Sequence, residues 1–70
     1  MDNNYKIGLE HNRDNFKIDL KRAKDYAIYL NKLYKNNKED ILKTNIVNNN
    51  ITITILENTI KDIISELKDL

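Results

Sequence analysis

Residues 46–70 carry two overlapping hydrophobic patterns that predict different folds. Apolar residues recur at every seventh position, as they do along the seam between two packed helices. This series comprises Ile46, Ile53, Ile60 and Leu67, and apolar Leu56, Ile63 and Leu70 lie three positions after its last three members. The equivalent position after Ile46 is Asn49, which interrupts the seam. Residues 51–55 also alternate Ile and Thr directly after three asparagines, a pattern typical of a strand that follows a turn.

The propensities of residues 48–55 favour the strand. A helix through these eight residues would cost roughly 0.5 kcal/mol per residue relative to Ala, or about 4 kcal/mol in total. Such a helix would also leave Val47, Ile51 and Ile55 off the seam, where a two-stranded coil would expose them. In a strand the β-branched residues are well accommodated, and the asparagines form the loop of a hairpin. We therefore expect a β-hairpin over residues 41–56.

The strongest helical pattern covers residues 14–35, where neither Gly nor Pro interrupts a series of apolar residues. The series runs at spacings of four, three, four, three and four and comprises Phe16, Leu20, Ala23, Ala27, Leu30 and Tyr34. At about 100° per residue these side chains form one buried face. Asn36 and Asn37 are expected to end this helix, because Asn tolerates the left-handed conformation of a C-cap. A second, short amphipathic helix is predicted from about residue 58 to residue 70.

Alternation of Tyr5, Ile7 and Leu9 with polar residues predicts one more strand near the beginning of the chain. The expected fold is thus α+β, with one small domain over residues 1–70 in the order strand, long helix, β-hairpin and short helix. The alternative is an all-α antiparallel helical hairpin, able to dimerise into a four-helix bundle. In that alternative Asn49 would set the register of the seam.

Composition excludes several classes of protein. The chain has no cysteine and a net charge of +1, so neither disulfides nor thiolate metal sites are expected. No apolar run approaches the roughly 20 residues that cross a bilayer, so we expect a cytoplasmic protein without a membrane partner. A chain this short often gains stability from a partner or a second copy. Asn, Lys, Ile and Tyr supply 37 of the 70 residues, and their AT-rich codons suggest a phage or mobile-element origin as a hypothesis.

Catalytic residue types are scarce. The chain has one histidine, His11, one serine, Ser65, and one glycine, Gly8. A hydroxyl nucleophile needs a positioned base and an oxyanion site, and a phosphate-binding loop needs several glycines. Glu10, His11 and Asp14 are close in sequence, but a metal needs three or four ligands in fixed geometry and nothing nearby completes the set. We therefore expect no enzyme activity, no cofactor, no metal and no small-molecule substrate.

The long helix has two further faces beside its apolar one. The flank at roughly 60° to 160° from the core direction is basic and carries Arg13, Lys17, Lys21, Lys24, Lys32 and Lys35. The opposite flank carries Tyr26, Tyr29 and Leu33, with Arg22 beside them. Tyr and Arg are enriched at protein interfaces, whereas a basic stripe suits an acidic protein surface or a phosphate backbone. Pairing of Lys21 with Asp25 would neutralise part of the stripe.

These faces predict a non-catalytic protein-interaction module, a small intracellular regulator or inhibitor whose long helix binds a protein partner. The tyrosine flank would anchor the partner and the basic flank would steer it. A homodimer is a second expectation for the partner. The alternative function is a nucleic-acid-binding regulator that uses the basic flank on phosphates, although a charge of +1 is low for that class.

Overall fold

The computed structural model describes residues 3–70, which form two long antiparallel helices. Helix α1 spans Asn3–Asn36 and helix α2 spans Asp40–Asp69. Three residues connect the helices, a length that places consecutive helices side by side in opposite directions. The molecule is a rod, and its Cα atoms extend over 54 × 14 × 14 Å.

The predicted α+β fold is wrong, and the all-α antiparallel helical hairpin is the observed architecture. Residues 3–70 contain no strand. The expected strand at residues 5–9 is the beginning of α1, and the expected β-hairpin at residues 41–56 lies inside α2. The long helix therefore begins eleven residues before the predicted start at residue 14, and the predicted short helix is the second half of α2.

Three threonines show how α2 accommodates its residues of low helix propensity. The Oγ1 atoms of Thr52, Thr54 and Thr59 donate hydrogen bonds to the carbonyl oxygens four residues earlier, at 2.8–3.2 Å. These bonds satisfy the hydroxyls within the helix itself. Meanwhile Ile53 and Leu56 point toward α1 and are half-buried. Packing along the seam thus offsets the propensity cost that had favoured a strand.

Asn49 lies in the same segment and makes the contact that a hairpin loop would not provide. Its side-chain amide nitrogen donates a hydrogen bond to the carbonyl oxygen of Ala23 on α1, at 2.9 Å. A carbonyl oxygen has two lone pairs, so it can accept this bond in addition to a helical one. The asparagine that interrupts the apolar series is therefore half-buried with its amide bonded across the seam.

The connection between the helices ends α1 where the two asparagines predict, but by another mechanism. None of the described residues has a positive φ, so no left-handed C-cap is present. Instead the amide of Asn37 donates to the carbonyl of Leu33 at 2.9 Å, and its side chain donates to the Glu39 carboxylate at 2.9 Å. Glu39 is extended, with φ −81° and ψ 142°, and is the N-cap residue that precedes α2; its carbonyl accepts hydrogen bonds from the amides of Leu42 and Lys43.

The core of the hairpin is one seam between the helices. Within residues 3–70 only Leu30 and Ile60 are buried, with 2% and 7% of their surfaces exposed. The half-buried apolar residues that continue the seam are Leu9, Phe16, Leu20, Ala23, Ala27 and Tyr34 on α1 and Leu42, Ile46, Ile53, Leu56, Ile63, Ile64 and Leu67 on α2. Two helices cannot enclose a side chain from all directions, so most of the seam stays partly in contact with solvent.

Candidate protein-interaction face

Four residues on one flank of α1 form an apolar and aromatic surface, the aromatic face. Its members are Arg22, Tyr26, Tyr29 and Leu33. Their spacings of four, three and four residues place them one above another along about 16 Å of helix, since an α-helix rises about 1.5 Å per residue. Helix α2 packs against the neighbouring side of α1, and all four residues are exposed.

The two tyrosines of the aromatic face stack on each other. Their ring centroids are 6.1 Å apart and the ring planes meet at 22°, a stacked arrangement. Nevertheless 47% of Tyr26 and 56% of Tyr29 remains exposed. A stacked pair is worth about 0.5–1.5 kcal/mol beyond its buried area, so each ring restricts the other before any partner binds. The aromatic face therefore offers two partly ordered rings at low entropic cost.

The basic flank lies on the other side of α1 and is largely unpaired. Its five lysines are all exposed, namely Lys17, Lys21, Lys24, Lys32 and Lys35. Arg13 is half-buried, and its Nε lies 3.1 Å from Oδ1 of Asp14. That is the one ion pair found within residues 3–70, so the expected pairing of Lys21 with Asp25 is not formed. The positive charge of these lysines is consequently available to an acidic surface.

The two flanks approach each other near the middle of α1. A shallow depression there is lined by Lys17, Ile18, Lys21, Arg22 and Asp25. Arg22 belongs to the aromatic face and the two lysines belong to the basic flank, so apolar Ile18 connects the two surfaces. A partner that covers the tyrosines can therefore reach the lysines within about one helical turn.

A third surface was not among the predicted binding residues, because its residues were assigned to a strand and were expected to be exposed only in the helical alternative. Val47, Ile51 and Ile55 follow one another at spacings of four on α2, and all three are exposed. With Asn50 and Thr54 they line a shallow groove. We call Val47, Ile51 and Ile55 the back face. The spacing of four was visible in the sequence, but it points to a helical surface only if residues 47–55 are helical.

The few residues of the types that commonly catalyse reactions or bind metals do not form a site among residues 3–70. His11 and Ser65 are exposed on different helices. Among residues 3–70, no three His, Asp or Glu side chains are grouped so that they could hold a metal ion. The hydroxyl of Tyr5 donates a hydrogen bond to Oε1 of Glu66, and this bond raises the pKa of Tyr5 above its ordinary value of 10.0. This bond connects the beginning of α1 to the end of α2, at the open end of the hairpin, which lies opposite the connection between the helices.

Comparison of the chain with protein-family models, curated proteins and solved structures finds no match. Neither helix of the described residues combines the length and apolar character needed to cross a membrane.

Proposed function

We propose that this protein is a non-catalytic interaction module, a small regulator or inhibitor, that binds a protein partner through the aromatic face of α1. The observation that carries the proposal is the exposed, stacked pair of Tyr26 and Tyr29. Aromatic side chains and arginine dominate the binding energy of protein interfaces. A helix that displays such residues at spacings of three and four is suited to a groove on a partner.

The charge of the basic flank favours a partner with an acidic surface. The exposed lysines of the basic flank would attract an acidic surface and raise the association rate, while the tyrosines and Leu33 would set the dissociation rate. Replacing Lys21 and Lys24 with Glu is therefore expected to lower the association rate and its salt dependence. Replacing Tyr29 with Ala is expected to accelerate dissociation.

The test uses the tagged full chain to retain proteins from a lysate and then measures the affinity of a purified candidate partner. Tyr29→Ala should weaken that affinity by about 30-fold or more, the usual consequence of truncating a central aromatic anchor. Ile28→Ala is the matched control, because Ile28 is the preceding residue on α1 and is also exposed. Equal affinities of the Tyr29→Ala and Ile28→Ala variants would contradict the proposal.

A nucleic-acid-binding regulator is the second candidate function, favoured by the five exposed lysines that lack a carboxylate partner. Five phosphate contacts would make binding fall several hundred-fold between about 50 and 200 mM salt. Titration of a mixed-sequence DNA duplex with the protein at both salt concentrations distinguishes the candidates. Tight binding with this steep salt dependence, insensitive to Tyr29→Ala, would favour the nucleic-acid function.

A further inference from the structure

The back face of α2 is an apolar surface that the hairpin itself cannot cover. Val47, Ile51 and Ile55 have 51%, 53% and 58% of their surfaces exposed. At about 100° per residue, Ile51 lies on the side of α2 opposite buried Ile60, and therefore opposite α1. Any molecule that covers this face must come from outside the hairpin.

The residues around the back face distinguish it from every other surface of the chain. Residues 44–56 include no Asp, Glu, Lys, Arg or His, although 33% of the whole chain is charged. These 13 positions comprise Ile, Leu, Val, Asn and Thr. The aromatic face, by contrast, contains Arg22 and adjoins the basic flank. Two aromatic faces would bring like charges together, whereas two back faces would not.

We propose that the back face binds a second copy of this chain. In a two-fold interface each patch meets itself, so it must be self-complementary. A two-fold axis near Ile51 would place Ile51 against its own copy and Val47 of each chain near Ile55 of the other. The neutral Asn and Thr side chains at the rim can both donate and accept hydrogen bonds, so they satisfy an identical set on the second copy.

Charged residues border the neutral segment on both sides. Lys43 precedes residues 44–56 and Glu57 follows them, and at about 100° per residue both lie well to one side of Ile51. Asp40 and Asp62 share the direction of Ile51, but each lies about three helical turns away from it. An antiparallel crossing of the α2 helices at about 20° or more keeps Val47 near Ile55 of the other copy and separates these aspartates.

The surface area of the hairpin is consistent with such an association. A compact monomer of 8.3 kDa would expose about 4600 Å², whereas this chain exposes 5484 Å². The excess of about 900 Å² is spread along the rod and includes the back face, so an interface of roughly 800 Å² per partner would also cover residues beside Val47, Ile51 and Ile55. The proposal goes beyond the proposed function, because pairing of α2 helices leaves both aromatic faces uncovered and makes the dimer bivalent.

Solution mass, measured by sedimentation equilibrium of the full chain, tests this inference. We expect an average mass clearly above 8.3 kDa at about 1 mM chain, where about half of the chains would be paired even at a Kd of about 1 mM. Ile51→Glu and Ile51→Lys should each weaken the dimer by at least about 100-fold, because like charges would face each other at the axis. An equimolar mixture of the two variants should restore the dimer, which also shows that both variants fold.

Ile18→Glu is the matched control, since Ile18 on α1 is 51% exposed and Ile51 is 53% exposed. This control should keep the wild-type mass. A monomeric wild-type chain at about 1 mM would overturn the inference. A dimer that persists in Ile51→Glu would also overturn the inference. A dimer that only Tyr29→Ala disrupts would overturn it as well and would assign the contact to α1. A monomeric chain, or a dimer that persists in both Ile51→Glu and Tyr29→Ala, does not affect partner binding by the aromatic face, so the two proposals fail separately.

Discussion

Asn49 on α2 and Ala23 on α1 are joined across the seam by a hydrogen bond of 2.9 Å from the side-chain amide to the backbone carbonyl oxygen. The small side chain of Ala23 lets the asparagine approach the backbone of α1. A slip of either helix by one turn, about 5.4 Å, would break this bond and leave the half-buried amide unpaired. The contact therefore penalises alternative registers of a seam whose apolar residues are similar to one another.

Replacement of Asn49 by Asp should destabilise the hairpin by about 1–3 kcal/mol at neutral pH. The side chain keeps its shape but loses its donor, and the carboxylate then faces a carbonyl oxygen. Asn48→Asp is the control, because Asn48 is exposed on the same helix. Urea denaturation followed by circular dichroism gives both free energies of unfolding. The difference between the variants should shrink below about pH 4, where a protonated Asp can again donate, and equal stabilities at neutral pH would contradict this role.

The helical conformation of residues 48–50 leads to a second prediction. Replacement of exposed Asn48 and Asn50 by Ala should raise the free energy of unfolding by about 0.5 kcal/mol each, because Ala has the higher helix propensity. In a hairpin loop the same substitutions would remove the residues best suited to the turn and lower stability. Asn37→Ala is the control: it removes the hydrogen bond to Glu39 in the connection and gains no helix propensity. Melting temperatures compared at equal protein concentration would decide between the two conformations.

Local sequence patterns were sufficient to predict the middle of α1 and the end of α2 as helices. The series from Phe16 to Tyr34 can pack in only one way, and residues 60–70 have the same apolar stripe in either interpretation. The asparagines near residue 36 also marked the true end of α1. These features depend on helical periodicity alone, which a sequence shows directly.

The strand predictions were wrong because tertiary contacts outweighed local conformational preference. Alternating Ile and Thr at residues 51–55 satisfies the period of a strand, yet Ile53 and Leu56 also continue the seven-residue series. The cross-seam bond of Asn49 and the threonine hydroxyl bonds within α2 cannot be read from propensities. Tyr26, Tyr29 and Leu33 share one exposed flank of α1 because they lie in a helix that was predicted, whereas residues 47–55 were assigned to a strand and the back face was not predicted.

Because the core is small, truncation to Ala should lower the free energy of unfolding by different amounts at two leucines of α1. Leu30→Ala should cost about 3 kcal/mol, since Leu30 is 2% exposed and truncation of a buried leucine leaves a cavity. Leu33→Ala, three residues farther along, should cost less than about 1 kcal/mol because Leu33 is 37% exposed. Because small domains have little stability to lose, the first variant should be largely unfolded at ambient temperature. Thermal unfolding of both variants measures the contrast, and similar losses would place α2 elsewhere on α1.

The contact between Tyr5 and Glu66 should make stability fall at alkaline pH. The hydrogen bond to Glu66 is the main cause of the raised pKa of Tyr5 in the folded chain. Folding therefore favours the protonated phenol, and its contribution is complete below the ordinary value of 10.0. That contribution is lost as the pH rises through the higher pKa of the folded state. Because Tyr5 is exposed, the effect should be modest.

Difference titration of tyrosinate absorbance between the wild-type chain and Tyr5→Phe isolates this group from the other three tyrosines. The difference should give a pKa above 10.0, and Tyr5→Phe should lose part of the alkaline decline in unfolding free energy. Glu66→Gln keeps a hydrogen-bond acceptor and removes the negative charge, so the pKa of Tyr5 should rise by less in that variant. A pKa of Tyr5 unchanged between the wild-type chain and Glu66→Gln would show that the open ends of α1 and α2 are not held together by this pair.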